Sequence, residues 1–573
     1  MKLSHFLENY FPGVSTLAPT AINFYDEPTV FHQSVDLNKI VSWPPNVFLI
    51  IYSILEYTDK YRLIVSPQEH FRWKKDDLRT VELLASQWLE LLTHQIDFLD
   101  NRPLFNAPEL KSYISVVFAH ENYNVSVYEL LDRTEFAHAL FVLFLSVDEA
   151  FEQLNLCDET DFNIINRHIL IRKLFMNEYE NLSDNHGQFG FVTLKSNVPQ
   201  SGLTINNLTQ HLTVIKPSVK PKVVTNAIER NVYNKKSYNV LILPWPMDIS
   251  HEAFLAKNEN NNLEMDDYFG FFEYRPDQEL KSQSFISVII SAIKRVRHID
   301  LIVLPECSLT VRAFERFQNI LFECFGEKAP SLLAGVYGDD NNYIKNSAKL
   351  AFIGESKEFY SFEQKKHHRW FLDKNQLRNY NLSSSLEPNR KWWENISVSR
   401  RNLLTLHTLN GIKLCPLICE DLARQEPVAQ AVRAVGPNFV VCLLLDGPQL
   451  SNRWPGKYAA VLADDPGSSV LSLTALGMTL RATGLGHPPS REVALWSEPG
   501  QGSETLILDD GAAGIVIELE MKDEKMWTMD GRYKSKPVLR KLFHTSISFD
   551  NSSQSVSMLK QTLIKELRRG GTL

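Results

Sequence analysis

Cysteine is scarce in this sequence, with six residues in a chain of 573. The six are irregularly spaced and no two stand in a CxxC pair, so neither a zinc ribbon nor a thioredoxin-like redox site is predicted. Cysteine used in this way is typical of free thiols in a reducing cytosol rather than of a disulfide framework.

An excess of basic charge and a long apolar run are also missing. The 60 basic and 68 acidic residues give a net charge of −8, whereas a nucleic-acid binder usually shows a basic balance or stripe. The most apolar stretch of the N-terminal half, Ala139 to Val147, is far shorter than the roughly 20 residues that a membrane-spanning helix needs. The N-terminus has one lysine and no apolar core, so it does not predict a secretory signal. We therefore expect a cytoplasmic protein without membrane association.

Two common catalytic motifs are absent as well. There is no phosphate-binding GxxxxGK[ST] loop and no serine nucleophile elbow. Apolar residues make up 44% and charged residues 22% of the chain, which is typical of soluble globular domains.

The first part of the chain is predicted to be mainly helical. We assign residues 1–212 to a helical accessory domain and the lysine- and proline-rich residues 213–237 to a linker. Apolar residues recurring three and four positions apart predict helices at Val47 to Leu55, Asp76 to Leu99, Val127 to Glu152 and Phe162 to Asn181.

Beyond the linker the pattern changes to short apolar strands that alternate with helices. This alternation predicts an α/β layered domain over residues 238–550, followed by a C-terminal helix or tail over residues 551–573. Strands are predicted at Val240 to Leu243, Leu301 to Leu304, Ser331 to Val336, Ala348 to Ile353, Leu403 to Leu409, Lys413 to Ile418 and Phe439 to Leu445.

Three groups of reactive side chains follow strands of this domain, where α/β folds usually hold their sites. Glu306 follows the second strand directly, a basic cluster spans Gln364 to Arg369, and Cys419 ends an apolar strand. Each alone has an ordinary structural explanation: a helix cap, a solvated loop or a buried inert thiol. Their occurrence in one domain is what points to chemistry.

Together these residue types make a complete set for covalent catalysis. A thiol is a good nucleophile only as the thiolate, so it needs a base or a positive charge nearby. A glutamate can take the thiol proton and return it to a leaving amine. A lysine can stabilise the oxyanion that forms when sulfur attacks a carbonyl or nitrile carbon. The set predicts hydrolysis of a C–N bond through a thioester.

The ordered set and its flanking residues resemble the nitrilase (carbon–nitrogen hydrolase) superfamily, whose members carry a Glu-Lys-Cys triad. Asp300 to Glu306 is similar to the strand-Pro-Glu motif of that family, and Leu333 to Val336 with Asn346-Ser347-Ala348 is similar to the strand pair before its lysine. Gly411 to Asp421 is similar to the nucleophile motif, in a Cys-Glu-Asp form like that of glutamine-hydrolysing members. Arg453-Trp454-Pro455 falls where many members have Asn-Trp-Pro.

The resemblance covers roughly Tyr238 to Arg532 and implies a nitrilase-like α-β-β-α sandwich. It implies Glu306 as general base, Cys419 as nucleophile and Lys366 as the oxyanion-stabilising lysine, with Lys365 as the alternative. It implies no metal and no organic cofactor. Further residues that could assist are His368, Asp373, Glu420, Asp421 and Trp454.

The sequence also departs from the family pattern. Many members have a second glutamate shortly after the lysine, but here the next carboxylates are Asp373 and Glu387. The segment from Asp373 to Arg400 is longer than the usual connection, which suggests that it reshapes or covers the pocket. Pro416 lies inside the nucleophile strand, where a missing hydrogen-bond donor is unusual.

Three functions stay open at this level. The first is a carbon–nitrogen hydrolase, an amidase acting on a small amide that could be glutamine-like. The second is a nitrilase-fold sensor, scaffold or partner-gated effector, in which residues 1–212 recruit a protein partner. The third is an acyltransferase that uses the same thioester. The family resemblance implies a homodimer or larger assembly, and fold-level analogy extends to a role in bacterial antiviral defence.

Overall fold

A computed structural model describes most of the chain. The described residues are 1–14, 36–66, 71–96, 107–153, 181–185, 190–226, 237–257, 266–340, 343–354, 357–398, 401–408, 411–550 and 552–569. They form two compact units. The N-terminal unit comprises Met1–Lys222, Gln430–Gly436 and Glu524–Lys536, and the sheet unit comprises Val223–Ala429, Pro437–Asp523 and Pro537–Leu573.

Helices are concentrated in the first part of the chain and recur between the later strands. In chain order, the α-helices in the described ranges are α1 Leu3–Tyr10, α2 Leu37–Val41, α3 Pro44–Thr58, α4 Lys75–Ile96, α5 Pro108–Val117, α6 Val127–Leu131, α7 Thr134–Ala150, α8 Ser282–Val296, α9 Val311–Phe325, α10 Lys374–Asn379, α11 Gln430–Val435, α12 Trp454–Asp464, α13 Leu476–Arg481 and α14 Val556–Arg569.

Most strands belong to the second part of the chain. The strands are β1 Phe191–Leu194, β2 Leu212–Ile215, β3 Lys220–Asn226, β4 Ser237–Ile242, β5 Phe254–Lys257, β6 Phe269–Tyr274, β7 Leu301–Thr310, β8 Ser331–Asp340, β9 Tyr343–Ile353, β10 Phe359–Lys365, β11 Phe371–Leu372, β12 Lys391–Glu394, β13 Asn402–Thr408, β14 Lys413–Ile418, β15 Phe439–Leu444, β16 Ser469–Thr474, β17 Glu492–Glu498, β18 Gly502–Ile507, β19 Gly514–Trp527 and β20 Tyr533–Ile547.

The N-terminal unit is built around α3 and α7. Both helices are apolar around most of their circumference, which is typical of helices that are enclosed by others. They contact each other, and α4 and α5 pack on α7. The rings of Phe48 and Phe144 stack between α3 and α7 with centroids 4.7 Å apart.

A buried ionic cluster ties a late segment of the chain into this unit. Arg532 donates to Asp148 at 3.1 Å and to Asp530 at 2.7 Å. Asp148 also accepts from the backbone N–H groups of residues 210–212. Because Arg532 and Asp148 each have several hydrogen-bond partners, the cluster compensates most of its buried charge and holds the late segment in place, although Oδ1 of Asp530 is buried without a donor in the described residues.

The sheet unit contains two seven-stranded sheets and one small sheet. The first sheet has the order β10-β9-β8-β7-β4-β19-β20, the second has β18-β17-β16-β15-β14-β13-β3, and the small sheet has β11-β12-β6-β5. Each large sheet has three neighbouring parallel strands at its centre, β4-β7-β8 and β14-β15-β16, with antiparallel strands outside them. The ends of these parallel strands carry the candidate site.

Contacts between the large sheets and helices define the core of this unit. Strand β7 of the first sheet contacts β15 and β16 of the second, and β9 contacts β14. Helices α8, α9 and α14 pack against one another, and their apolar side chains form one buried cluster with those of the first sheet. Helix α12 contacts β16, β17 and β18 of the second sheet. The expected mixed α/β class with a helical N-terminal region is confirmed.

Several predicted elements differ from the observed ones. The single helix expected from Val127 to Glu152 is divided into α6 and α7, because the backbone of Arg133 is extended. The segment expected as a linker, 213–237, contains part of β2 and all of β3, and residues 227–236 lie outside the described ranges. The proline in β3 is tolerated because β3 is an edge strand. The helix expected at Phe162 to Asn181 falls almost entirely on residues that are not described. No helix in the described ranges combines the length and apolar character needed to cross a bilayer.

Candidate functional site

Glu306 lies in β7 at the centre of the first sheet, and its side chain is 1% exposed. One carboxylate oxygen, Oε1, accepts from Lys366 Nζ at 2.7 Å and from Asn346 Nδ2 at 2.7 Å. The other oxygen, Oε2, is buried and accepts no hydrogen bond from any part of the chain that the structure describes. Burial raises the pKa of Glu306, although Lys366 opposes this effect. The free oxygen can therefore accept a hydrogen bond or a proton from a group that reaches it.

Lys366 follows β10 and is equally buried, at 1% exposure. Its ammonium donates to Glu306 Oε1 and to Glu394 Oε2, both at 2.7 Å. Burial disfavours the charged form, but the two carboxylates outweigh it and raise the pKa of Lys366 well above its usual value. Lys366 is thus a fixed positive charge with a third N–H available for another acceptor. Lys365, the sequence-based alternative, is exposed in the same segment.

Glu394, at the end of β12, is a site residue that the sequence reasoning missed. Its Oε2 also accepts from the backbone N–H of Trp370 at 2.9 Å, and its Oε1 accepts from Asn346 Nδ2 at 2.6 Å. Asn346 therefore bridges the two glutamates. The only sequence signal was a carboxylate after the tryptophan pair at 392–393 in a short strand-like run.

The carboxylates that sequence order placed after the lysine have other contacts. Asp373 caps the N-terminus of α10, where it accepts from the backbone N–H of Gln376 at 2.8 Å. Glu387 is half exposed and pairs with Arg390 at 3.1 Å. Neither has a contact with Lys366, so the structure does not bring Asp373 into the cluster of site residues.

Cys419 stands directly after β14, at the start of a short 3-10 turn, Cys419–Leu422. It is 1% exposed and has a φ of 46°, a left-handed conformation that non-glycine residues rarely adopt. Strain of this kind persists where the surrounding structure enforces it, often at functional sites. Burial raises the pKa of the thiol well above its usual value, Glu306 adds to this, and Lys366 opposes it. The thiol is electrostatically coupled to both residues.

Asp421 links the segment of Lys366 to the turn of Cys419. It is fully buried and accepts from the backbone N–H groups of His367 and His368, at 3.0 Å each. It also bonds Nδ1 of the His368 ring at 3.0 Å. The Asp421 carboxylate thus holds the lysine and cysteine segments together, and His368 belongs to this connection. Glu420 instead pairs with Arg424 at 3.1 Å.

The proline in β14, Pro416, has a specific partner. The carbonyl of Pro416 accepts from Gln364 Nε2 at 2.7 Å, and Gln364 Oε1 accepts from the backbone N–H of Leu404 at 2.8 Å. Gln364 is fully buried, and its side chain connects β10 of the first sheet to β13 and β14 of the second. This connection fixes the sheet edges that carry Lys366 and Cys419.

A glycine permits close packing beside Glu306. A Cβ atom on Gly335, in β8, would lie 2.3 Å from the carbonyl oxygen of Pro305 and 2.4 Å from the Cα of Glu306. Those are backbone atoms, which cannot turn aside as a flexible side chain could. Only glycine therefore allows β8 to pass the chain at Glu306 this closely.

Apolar side chains from the long segment after the lysine pack beside these residues. Leu377, Tyr380 and Leu386 from that segment share a buried cluster with Cys307, the neighbour of Glu306. Trp370 belongs to the same cluster, and its ring lies 5.9 Å from that of Tyr380. The expectation that this segment reshapes the site is consistent with these contacts.

Of the remaining expected residues, Trp454 begins α12 and is half-buried. Helix α12 contacts the Cys419 turn. Within the described ranges, no group of three or more His, Cys, Asp and Glu side chains is arranged to hold a metal ion.

No protein-family model matches the chain, and no curated protein matches it. Solved structures do match. The nitrilase-superfamily protein Nit3 of Saccharomyces cerevisiae, from branch 10, is 14% identical, with 58% of this chain and 96% of that chain covered and a TM-score of 0.25. A CN-hydrolase superfamily protein of Xanthomonas campestris, solved with an arsenic adduct in its active site, is 10% identical over 50% of this chain and 90% of its own, with a TM-score of 0.24.

A glutamine-dependent NAD(+) synthetase of Cytophaga hutchinsonii is 8% identical over 54% of this chain and 43% of its own, with a TM-score of 0.24. Over about half of its length, the chain is similar to solved proteins of the nitrilase superfamily, the family that its motifs resemble.

Proposed function

We propose that this protein hydrolyses the C–N bond of a small amide through a thioester on Cys419. One observation carries the proposal. Glu306 keeps one buried carboxylate oxygen free while Lys366 holds the other, and both residues are coupled to the thiol of Cys419. A purely structural ion pair has no need of a free, buried carboxylate oxygen, since such a group costs free energy to bury.

The first half-reaction forms the acyl-enzyme. Glu306 Oε2 takes the proton from Cys419 Sγ as sulfur attacks the amide carbon. A C–S bond forms, and the carbonyl π electrons move to oxygen, where the third N–H of Lys366 stabilises the negative charge. When this tetrahedral intermediate collapses, the C–N bond breaks and the nitrogen takes the proton from Glu306, so ammonia or an amine leaves.

The second half-reaction returns the enzyme to its starting state. Glu306 takes a proton from water as the water oxygen attacks the thioester carbon. The C–S bond then breaks, the sulfur regains a proton, and a carboxylic acid leaves. Because burial raises the pKa of Glu306, its carboxylate is a stronger base than that of an ordinary glutamate, which suits it to take and return a proton.

Glu394 and Asn346 are proposed as positioning residues. Lys366 donates to both glutamates, and Asn346 donates to both from the other side. This closed set of hydrogen bonds fixes Glu306 Oε1 and leaves Oε2 outside the set. We also propose that the layers of the sheet unit correspond to an α-β-β-α sandwich of the nitrilase type.

Intact-mass spectrometry after rapid acid quenching tests the central step. The protein is incubated with simple aliphatic amides, glutamine and nitriles, and wild type is compared with Cys419→Ala. We expect a mass gain equal to the acyl group in wild type and none in the variant. Cys415→Ala is the matched control, since Cys415 is a buried thiol in the same strand and should leave the adduct in place.

Other outcomes reassign the function. An adduct that persists in Cys419→Ala would contradict the proposed nucleophile. An adduct that is released faster by added amines than by water would favour acyl transfer. Neither adduct nor turnover across the panel would contradict amide hydrolysis and favour the sensor or scaffold function.

The packing of Gly335 gives a second prediction. Gly335→Ala should move the chain at Glu306, since a Cβ atom has no room there. We expect kcat/KM to fall by about a hundredfold for the amide that wild type hydrolyses in the panel above (the responsive amide), since displacing a catalytic group by about 1 Å has that effect. Gly338→Ala is the control in the same strand, because its added Cβ would meet nothing closer than 4.0 Å. Equal kcat/KM values for the two variants would show that the close approach at Gly335 does not position Glu306.

A further inference from the structure

A second carboxylate, Asp446, lies at the same sheet edge as Cys419. Strands β14 and β15 are parallel neighbours, and Ile418, just before the cysteine, is paired with Leu443, three residues before Asp446. Both residues therefore emerge at the carboxyl ends of adjacent strands, where parallel sheets place ligands. The negative charge of Asp446 also contributes to the raised pKa of the Cys419 thiol.

Within the described part of the chain, the two oxygens of Asp446 differ in their hydrogen bonds. Oδ1 accepts from the hydroxyl of Tyr380 and from Arg453 Nη2 at 3.0 Å. Oδ2 is buried and has no hydrogen-bond donor among the residues that the structure describes, although the side chain is only 5% exposed. A buried carboxylate oxygen without a donor costs free energy, and a bound molecule that donates to it would recover that cost.

The charged groups that act most on the Cys419 thiol are mainly negative. Glu306, Glu420 and Asp446 raise its pKa, and Lys366 lowers it. A substrate with an additional carboxylate would increase this excess of negative charge, whereas a cationic nitrogen would balance it.

Apolar and aromatic side chains lie next to Asp446. Leu445 precedes it in the chain, and Tyr380, which donates to Oδ1, packs against Trp370 with ring centroids 5.9 Å apart. Aromatic rings stabilise nearby cations through their negative faces and also accommodate methylene groups.

We propose that Asp446 Oδ2 receives a cationic nitrogen of the substrate, so that the preferred amides carry an ammonium or guanidinium group. The inference builds on the proposed amide hydrolysis by naming its substrate class. Tyr380 and Arg453 hold the carboxylate through Oδ1 and leave Oδ2 for the substrate.

Pairs of amides that differ only in charge provide the test. Glycinamide is compared with propanamide, and each longer ω-amino amide with the isostere in which a methyl group replaces the ammonium. Wild type should favour the ammonium member of at least one pair by 10- to 100-fold in kcat/KM, the range for a hydrogen bond to a charged group. Asp446→Asn keeps the shape and should reduce this ratio to near one. Asp509→Asn removes an equal charge from an exposed position and should keep the ratio.

Binding to Cys419→Ala protein separates this inference from the hydrolytic proposal. If the variant binds the ammonium amides more tightly than their isosteres but wild type turns over neither, recognition by Asp446 is supported and hydrolysis is contradicted. If wild type hydrolyses both members of every pair equally, hydrolysis is supported and recognition by Asp446 is contradicted. If no ammonium amide binds at millimolar concentration, the assignment of Asp446 is overturned.

Discussion

Lys366→Met should lower kcat/KM for the responsive amide on the order of a thousandfold, the cost of losing a principal oxyanion-stabilising donor. The same change leaves Glu306 and Glu394 buried without their shared cation. We therefore also expect the free energy of unfolding at neutral pH to fall by about 3–5 kcal/mol, as for other buried pairs that lose one partner. Denaturant unfolding and steady-state kinetics measure the two effects.

Lys365→Met is the matched control, because the same substitution is made one residue earlier on an exposed side chain. We expect kcat/KM and the free energy of unfolding to stay near the wild-type values. A second readout is pH: in Lys366→Met the lost stability should be partly regained as pH falls, since protonation of Glu306, whose pKa is raised by burial and by Glu394, removes its repulsion with Glu394. A larger loss of kcat/KM in Lys365→Met than in Lys366→Met would reverse the assignment of the two lysines.

Strands β7 and β14, which carry two of the three proposed catalytic residues, could be predicted because their sequences are strongly apolar, whereas β10, which precedes Lys366, is mostly polar and was not among the predicted strands. The observed strand β14 has the predicted bounds, Lys413 to Ile418. The spacing favoured Lys366 but left Lys365 as an alternative, since Lys365 also fits a Lys-any-His pattern. It depends on which side chain turns inward after β10, and that is set by contacts from Asp421 and Asn346.

Glu394 could not be predicted because its place depends on a tertiary pairing. It follows the lysine by 28 positions, in a strand that pairs in parallel with β6 of the small sheet. Spacing in the sequence favoured Asp373, but a carboxylate at that position satisfies the N-terminus of α10. Asp446 could not be predicted for a similar reason. It follows Cys419 by 27 positions, and only the register between β14 and β15 brings the two residues to the same end of the sheet.

The two glutamates around Lys366 should respond differently to neutralisation. Glu306→Gln retains an oxygen that can accept from Lys366 and Asn346 but cannot accept a proton at Oε2, so kcat/KM should fall by about 10² to 10⁴, the usual contribution of a general base. Glu394→Gln should reduce kcat/KM less, because the base remains. Glu387→Gln, an exposed carboxylate of the same segment, is the control for both.

The pH profile of kcat/KM distinguishes a base from a positioning residue. Glu306 acts as the ionised form, so activity is present above its pKa and is lost as pH falls through it. The negative charge of Glu394 contributes to the raised pKa of Glu306. Glu394→Gln should therefore move the acid limb of the profile to lower pH, whereas Glu306→Gln should abolish that limb. An acid limb that survives unchanged in Glu306→Gln would assign the proton transfer to another group, and a limb that moves upward in Glu394→Gln would contradict the electrostatic coupling between the two glutamates.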